Sequence, residues 1–422
     1  MQPGRWLILA DDLTGAADCA VAFARSGHAA SVAWGAAAAV AGDAGATGDA
    51  VVAFDADSRR LPPDAAAARH LALLSAHYGT GTALFKKIDS TLRGQPAAEL
   101  AGMVQALRRR GLGALSVMAP AFPAMGRTTE DGHVRVCGQA LETTALWARE
   151  HGCATAHLPS VLGGVGLHVT LARLDMVRAG PAALAGWIGD ALAAGLDIVV
   201  CDAVTQADLE IVAAATLPMA GALFWTGSGG LAEALAGPAL AGRAGPVEVA
   251  GGILLVVGSV AEASRAASAL LAGDPSLLTE RIAPATLHAG AGCIAWQGAS
   301  RRIAAALACG ADVLVEIAAE RDADLSRGAA LARQLALLLR PAAAGAGAVF
   351  ATGGETAVAV LDALGVTGIR MVDEIEPGVA LGLARGAMAV PVVTKAGAFG
   401  DAGTLLRCLS HLRRHRRTEN PP

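Results

Sequence analysis

Several residue types that often carry function are scarce in this 422-residue chain. Aromatic residues make up only 3% of it, which argues against a platform of stacked rings for single-stranded nucleic acid. The seven cysteines include no CxxC pair, which argues against a zinc site or a disulfide framework. Scattered cysteines of this kind indicate a reducing compartment, so we expect a cytoplasmic protein.

Long hydrophobic runs and a strong excess of one charge are also missing. No apolar run reaches the roughly 18 residues that a membrane-spanning helix needs. The short apolar run at residues 6–10 stops at Asp11 and Asp12, so we do not expect a signal peptide. The net charge of −4 gives no general attraction to DNA or to an anionic membrane. We therefore expect neither nucleic acid nor a membrane as a partner.

Lysine is rare as well. Of the 33 lysines and arginines, only Lys86, Lys87 and Lys395 are lysines. A compact ammonium and a planar guanidinium bind ligands in different ways. Lysines that persist in such a composition are therefore candidates for a phosphate or carboxylate contact.

The stretch that organises the first half is residues 84–94, LFKKIDSTLRG. An apolar strand at residues 83–85 ends here in two ammonium groups, a carboxylate, two hydroxyls and a guanidinium. Open α/β sheets bind small ligands at the carboxyl ends of their strands. We therefore predict that this cluster contacts a ligand.

Hydrophobic patterning predicts an α/β fold of alternating strands and helices. The predicted strands are residues 6–10, 51–54, 83–85, 114–119, 198–201 and 222–225 in the first half, and 253–257, 313–317, 348–351 and 390–393 in the second. We predict Thr14 as the N-cap of the first helix and a polar loop at residues 126–132. The segment 236–252, rich in alanine, glycine and proline, is interpreted as a linker between domain 1–235 and domain 253–422.

The two halves place different chemistry after their strands. The first half has acidic, basic and hydroxyl side chains, which suit a small anionic and hydroxylated substrate. These candidates are Asp11, Asp12, Arg59, Lys86, Lys87, Asp89, Ser90, Arg93 and Arg127. The second half has glycine-rich turns into helices, which suit phosphates because backbone N–H groups face the ligand. Its candidates are Ser259, Gly353, Gly354, Glu355, Thr356, Lys395 and Gly397.

One domain for a small acid and one for a nucleotide is the arrangement of a small-molecule kinase. Competing interpretations rest on weaker motifs. The chain has no GxxxxGK[ST], so it is not a Walker-type enzyme. Residues 227–232, GSGGLA, fit the loose GxGxx(G/A) pattern of a dinucleotide-dependent dehydrogenase. A non-catalytic sugar-acid sensor is a third interpretation.

Motifs along nearly the whole chain resemble those of the four-carbon acid sugar kinases. They are ADDLTGA at 10–16, KKIDSTLRG at 86–94, PAFP at 120–123, GRTT at 126–129, GSGGLA at 227–232, GGETA at 353–357 and KAGAFG at 395–400. The resemblance extends from Leu9 to about Leu409. It implies two domains, each a mostly parallel sheet flanked by helices, with the active site in the cleft between them.

The resemblance also implies a reaction, in which ATP with Mg²⁺ phosphorylates the 4-hydroxyl of a four-carbon sugar acid. The form of residues 86–94 favours D-threonate or D-erythronate, with 3-oxo-tetronate or another short hydroxy acid as the alternative. By motif, Asp12, Arg59 and residues 87–90 would hold the acid, while Ser259, residues 353–356 and Gly397 would hold ATP. We expect Asp12, and secondly Asp89, to be catalytic. The metal ligands are unknown, and assembly into a homo-oligomer is left open.

Overall fold

The computed structural model describes residues 3–35, 48–150, 155–240, 247–258, 261–318, 328–397 and 399–417, without the side chains of residues 149 and 150. It divides into two compact units, Met1–Leu240 and Ala241–Pro422. Each unit contains a largely parallel sheet and flanking helices, which confirms the predicted fold class. The division falls inside the segment predicted as a linker, and the domain boundaries at 235 and 253 stay a prediction.

The first unit contains a parallel sheet and a separate, smaller antiparallel sheet. Its strands are β1 (Arg5–Ala10), β2 (Ala30–Ala33), β3 (Val51–Asp55), β4 (Thr82–Lys87), β5 (Leu115–Ala119), β6 (Arg127–Glu130), β7 (His133–Val136), β8 (Gln139–Ala140), β9 (Val169–Ala172), β10 (Ile198–Cys201) and β11 (Leu223–Gly227). Its helices are α1 (Leu13–Arg25), α2 (Pro63–His77), α3 (Pro96–Arg109), α4 (Ala145–Glu150), α5 (Leu158–Gly163), α6 (Leu174–Arg178), α7 (Pro181–Ala193), α8 (Gln206–Thr216) and α9 (Gly229–Ala236). The central strands are buried along most of their length, which explains why they read as nearly continuous apolar runs.

The strand order of this sheet positions the predicted site. The strands follow the order β2-β3-β1-β4-β11-β5-β10-β9, and β1 pairs in parallel with both β3 and β4. After β1 the chain goes to β2 on one side, and after β4 it goes to β5 on the other. Neighbouring strands whose connections diverge open a crevice at their carboxyl ends. The polar residues that follow β1, β3 and β4 lie at this switch point.

Helix α1 begins directly after β1. Asp12 is its N-cap, because its Oδ1 accepts the backbone N–H of Gly15 at 2.8 Å. Such a cap stabilises a helix by about 1 kcal/mol. The prediction of Thr14 as N-cap is wrong: Thr14 lies inside the helix, and its hydroxyl donates to Asp12 Oδ2 at 2.8 Å.

The predicted polar loop at residues 126–132 is also wrong. Strands β6, β7 and β8 form a separate antiparallel sheet in which Arg127 pairs with Val136. The turn between β6 and β7 is held from outside the hairpin, since the buried Asp202 accepts the backbone N–H groups of Asp131 and Gly132 at 2.7 and 2.9 Å. A partner so distant in sequence cannot be read from the local pattern.

The second unit also contains a largely parallel run of sheet strands. Its strands are β12 (Gly252–Val257), β13 (Leu277–Ile282), β14 (Asp312–Ile317), β15 (Ala346–Thr352), β16 (Val366–Glu376), β17 (Val379–Gly386) and β18 (Pro391–Lys395). Its helices are α10 (Glu262–Leu271), α11 (Pro284–Ala289), α12 (Ile294–Ala308), α13 (Gly328–Leu339), α14 (Gly354–Ala363) and α15 (Thr404–Arg414). The order is β13-β14-β12-β15-β18-β17-β16, parallel except that β17 runs antiparallel to both of its neighbours.

The sequence analysis identified four strands of this sheet and missed β13, β16 and β17. The β16–β17 hairpin reverses at Gly378, whose φ is 77°, and Gly378 N–H donates to Glu374 at 2.8 Å. Among the described helices, none combines the length and the apolar character that crossing a membrane requires.

Candidate active site

A guanidinium lies at the centre of the polar residues at the switch point. Arg59 follows β3 and reaches the residues after β1: its Nε and Nη2 contact the two oxygens of Asp11 at 2.6 and 3.0 Å. Its Nη1 contacts Asp12 Oδ2 at 2.6 Å, and its Nη2 lies 3.8 Å from Asp89 Oδ2 after β4. The structure therefore brings together predicted residues from three separate strand ends. We call Asp11, Asp12, Arg59, Lys87, Asp89 and Arg93 the acid-side cluster.

The carboxylate of Asp12 is held ionised. Burial would raise its pKa, but the adjacent Arg59 and Lys87 charges lower it below the usual range, helped by the hydrogen bond from Thr14. The absence of a side chain at Gly15 makes room for the lysine, because a Cβ there would lie 2.5 Å from Lys87 Nζ. This glycine lets a buried ammonium approach the first turn of α1.

Asp89 is even more fully engaged. Its Oδ1 accepts the backbone N–H and the hydroxyl of Thr91, at 2.8 and 2.7 Å, and its Oδ2 accepts Arg93 Nε at 2.5 Å. Burial would raise the pKa of Asp89, but the charges of Arg93 and Arg59 hold it well below its usual range. Ser90, next to it, is buried. Asp89 therefore fixes the two arginines and is a poor proton acceptor.

The two lysines of the doublet point in different directions, as successive residues of a strand do. Lys87 belongs to the acid-side cluster: burial would lower its pKa, but nearby acidic groups raise it above its ordinary value. Lys86 is fully buried on the other side, where its Nζ lies 2.8 Å from Glu99 Oε2 and 3.3 Å from His70 Nε2. The structure thus separates Lys86 from the other predicted substrate contacts.

Arg127 is the remaining acid-side candidate, and the structure places it at the start of β6. Its Nη1 donates to the Met125 carbonyl at 3.0 Å. Its Nε is buried and has no hydrogen-bond partner within the described part of the chain. The Arg127 side chain is therefore bound to the turn before β6, and none of its contacts among the described residues involves Arg59 or the aspartates around it.

Asp55 was missed as a site residue. It ends β3 directly beside Ala10 of β1, and its Oδ1 accepts the N–H of Asp57, whose φ is 48°. Burial, together with the neighbouring Asp12 charge, raises the pKa of Asp55 to about 8. A neutral carboxyl therefore lies next to the ionised ones. The signal in the sequence was an aspartate that closes an apolar strand.

The nucleotide-side candidates lie where β15 and β18 end. Gly353 has a φ of 89° and caps α14, and its N–H donates to the Lys395 carbonyl at 2.9 Å. Gly354, Glu355 and Thr356 form the first turn of α14, where backbone N–H groups and the helix dipole favour an anion. Thr356 is buried against Gly258, where any Cβ would collide with it. Ser259 lies outside the described residues.

The buried side chain of Lys395 stabilises the loop that follows β18. Its Nζ donates to the carbonyls of Phe399, Ala396 and Gly397 at 2.8, 3.0 and 3.4 Å, and to the Ser264 hydroxyl at 3.3 Å. Burial lowers the pKa of Lys395 to about 8, although Cys408 and Glu376 act against this shift. Its side chain therefore organises the loop after β18, to which Gly397 belongs.

The glycines of the GSGGLA segment have a packing explanation. A Cβ at Gly227 would lie 2.6 Å from the Ala119 carbonyl oxygen, and one at Gly229 would lie 2.5 Å from Asp18 Oδ2 and 2.8 Å from the Phe122 ring. Close packing of the backbone therefore accounts for these glycines without a bound dinucleotide. Among the described residues, no group of three or more His, Cys, Asp or Glu side chains could hold a metal ion.

Comparisons with known proteins cover both units. A family model for a sugar-binding N-terminal domain matches residues 6–235, and one for a nucleotide-binding C-terminal domain matches residues 254–405. A solved protein of Salmonella typhimurium LT2 superposes with a TM-score of 0.80 over 96% of this chain and 99% of its own. At 21% identity, this likeness shows the fold alone.

The curated relatives are similar over almost their full length. A D-threonate kinase of Cupriavidus necator is 42% identical over 407 residues, covering 95% of this chain and 96% of the relative. A D-erythronate kinase of Heliobacterium modesticaldum and a 3-oxo-tetronate kinase of Pseudomonas savastanoi pv. phaseolicola are each 30% identical, with 96% of both chains covered.

Proposed function

This chain belongs to the four-carbon acid sugar kinase family, and on that premise we propose that it transfers the γ-phosphoryl group of ATP to the 4-hydroxyl of D-threonate. D-erythronate is the second candidate and 3-oxo-tetronate the third. The identity of 42% to a D-threonate kinase, against 30% to kinases named for the other two acids, supports this order. The observation that carries the proposal is the meeting of Arg59 with Asp11, Asp12 and Asp89 at the switch point of the first sheet.

The acid-side cluster suits a hydroxylated carboxylate. A guanidinium has five N–H donors in a planar fork that matches a carboxylate. Arg59 and Arg93 are both partly exposed, at 21% and 25% of their side chains, so each keeps donors that a substrate carboxylate can reach. Lys87 adds a buried positive charge to the same cluster. We assign recognition of the acid to these three cations.

Asp12 is our candidate for orienting the 4-hydroxyl and accepting its proton. Its lowered pKa keeps it ionised at neutral pH, so it can accept a hydrogen bond from a substrate hydroxyl without first losing a proton. A low pKa makes it a weak base. Phosphoryl transfer tolerates this, because positioning and charge neutralisation supply most of the catalysis.

ATP is assigned to the second unit. The phosphates fit the N-terminal turn of α14, where the first backbone N–H groups of the helix have no partner within it. We propose that Mg²⁺ accompanies ATP, since this ion commonly binds through substrate phosphates, waters and only one or two carboxylates. Its chemistry is the neutralisation of phosphate charge. The carboxylates of the acid-side cluster, Asp11, Asp12 and Asp89, are engaged with its cations, so we assign none of them to the ion.

The test is ADP production by the purified protein with ATP, Mg²⁺ and each of D-threonate, L-threonate, D-erythronate, L-erythronate and 3-oxo-tetronate. We expect the largest kcat/KM with D-threonate. A clear preference for another of these acids would replace the substrate and keep the reaction. Bound ATP with no turnover on any of the five would place the substrate outside the tetronates, and absence of ATP binding would overturn the proposal.

We also propose a cytoplasmic location. The described part of the chain contains six free cysteines, three of them buried and two exposed, and unpaired thiols suit a reducing compartment. Localisation of a tagged chain in a bacterial cell would test this. Homo-oligomerisation stays a prediction, to be decided by light scattering.

A further inference from the structure

We propose that four buried residues behind the acid-side cluster, Ser58, His70, Lys86 and Glu99, act as a positioning device for Arg59 and Lys87. This inference rests on the proposed function, because it assigns acid binding to those two cations. We call these four residues the buried quartet. They come from the turn after β3, from α2, from β4 and from α3, and each is no more than 1% exposed.

The quartet is tightly connected. Glu99 is its centre: Oε2 lies 2.8 Å from Lys86 Nζ, and Oε1 accepts the Ser58 hydroxyl at 2.7 Å. His70 Nε2 lies 3.0 Å from Ser58 Oγ and 3.4 Å from Glu99 Oε1. Burial, followed by the Lys86 charge, lowers the pKa of His70, so the histidine is neutral. Lys86 and Glu99 therefore balance each other as the charged pair of the quartet.

Chain connectivity links this quartet to the site. Ser58 immediately precedes Arg59, and Lys86 immediately precedes Lys87. Lys86 Nζ also donates to the backbone carbonyl of Lys87 at 2.9 Å, so it fixes the backbone from which the Lys87 side chain extends. On the other side, the Ser58 and Arg59 N–H groups both donate to the Asp11 carbonyl, at 3.1 and 3.3 Å. Glu99 is thus the common anchor of both segments.

A role in positioning Arg59 and Lys87 explains why Lys86 and Glu99 are buried as charged groups. Replacing a buried ion pair with apolar residues is often neutral or stabilising, so stability alone does not account for one. The composition also favours a specific role for Lys86, because nearly every other cationic residue of this chain is an arginine. A compact ammonium can contact Glu99, His70 and the Lys87 carbonyl together in a space closed on all sides.

The first test compares two Ser→Ala variants by steady-state kinetics and thermal unfolding. Ser58→Ala removes the hydroxyl between Glu99 and the Arg59 segment. Ser116→Ala is the matched control, because Ser116 is equally buried and loses one hydroxyl contact, to Thr226 at 2.7 Å within the central sheet. We expect Ser58→Ala to raise KM for D-threonate about tenfold with KM for ATP unchanged, since small displacements of positioning groups are costly. Ser116→Ala should change neither KM.

The second test separates positioning from stability. Lys86→Met and Glu99→Gln each break the pair and should lower the melting temperature, whereas the double variant removes both charges and should recover most of it. We expect KM for D-threonate to stay raised in the double variant, because the bond to the Lys87 carbonyl is still missing.

Recovery of KM together with melting temperature would overturn the proposal, as would a Ser58→Ala variant with unchanged KM for the acid. An equal rise in KM for both substrates would overturn it too. These outcomes are distinct from failure of the proposed function, which would appear as a wild-type protein without tetronate kinase activity.

Discussion

The two units end their central strands in opposite ways. In the first unit, the carboxyl edge of the sheet carries charged side chains that neutralise one another, with Arg59 between Asp11, Asp12 and Asp89. In the second, the corresponding edge offers backbone, with a glycine at positive φ leading into α14. Side-chain pairing suits a small acid with several hydroxyls, whereas exposed N–H groups suit phosphates.

A buried lysine occurs in both regions and shows the difference most clearly. Lys86 and Lys395 each sit near the end of a strand, and each donates to the carbonyl of the next residue, at 2.9 and 3.0 Å. Lys86 is paired with Glu99 at 2.8 Å. Lys395 is surrounded by carbonyl oxygens, and its pKa falls to about 8. The comparison predicts that changes in the first unit affect the acid and that changes in the second affect ATP.

The largest effect is expected from Asp12→Asn. Asparagine keeps the helix cap, so the fold should be retained, while the loss of a proton acceptor should lower kcat about a hundredfold or more. The measurement is kcat with both substrates saturating. Asp89→Asn is the control, and it should raise KM for the acid more than it lowers kcat, because Asp89 fixes Arg59 and Arg93. A near-normal kcat for Asp12→Asn would remove Asp12 as the base.

The next effect is expected from Arg59→Lys. The ammonium keeps the charge but cannot contact Asp11 and Asp12 through a planar fork. We expect KM for D-threonate to rise about tenfold or more, with KM for ATP unchanged. Arg108→Lys is the matched control, since Arg108 pairs with Asp197 at 2.6 Å on the surface of the same unit. A parallel rise in KM for ATP would contradict the division of roles between the units.

A third effect is expected in the second unit from Gly353→Ala. Gly353 has a φ of 89° and a ψ of 128°, a conformation that costs an L-residue about 1–3 kcal/mol, and the substitution adds a methyl group to the turn at which the phosphates are proposed to bind. We expect KM for ATP to rise about tenfold, with KM for the acid unchanged. Gly310→Ala is the control for strain, because Gly310 has a φ of 76° and open space around it. Equal effects of both variants would show that strain alone is responsible.

The sequence predicted the strands that lie deep in both sheets and the residues that end them. Buried parallel strands are apolar along their length, and the polar residues after them are visible as breaks in the pattern. The strands β2, β9, β13, β16 and β17 and the hairpin β6–β7 were missed, and the turn of that hairpin is held by Asp202, which is distant in sequence. These elements carry no local signal strong enough to identify them.

The structure brings several predicted acid-side residues together, and their roles in binding stay a prediction. The rarity of lysine drew attention to Lys86, Lys87 and Lys395, all of which are buried. Sequence spacing could not reveal that Lys86 faces Glu99 and that Lys395 faces carbonyls, since this depends on which side of a strand another element covers. Asp55 escaped for a related reason: its pKa is raised first by burial and then by the Asp12 charge, and neither can be read from the local sequence.

The smallest expected effect is a change of KM near pH 8, and it is the most sensitive test of the comparison. It occurs in both units but arises from a different residue in each. Lys395 is protonated below its pKa of about 8 and loses an N–H donor above it, which weakens its hold on the loop after β18. Its neighbours Glu376 and Cys408 do not titrate there, because the pKa of Glu376 is lowered and that of Cys408 is raised to about 12. We expect KM for ATP to rise about fivefold from pH 7 to 9, as one hydrogen bond is lost.

In the first unit, the same pH range ionises Asp55, whose pKa is also about 8. The new negative charge beside Asp12 should repel an anionic substrate and raise KM for D-threonate about threefold. Lys395→Met should remove the pH dependence of KM for ATP and leave that of the acid, and Asp55→Asn should do the reverse. Each variant is thus the control for the other. If either variant removed the pH dependence of both KM values, Asp55 and Lys395 would act on both substrates. That result would contradict the division of roles between the two units.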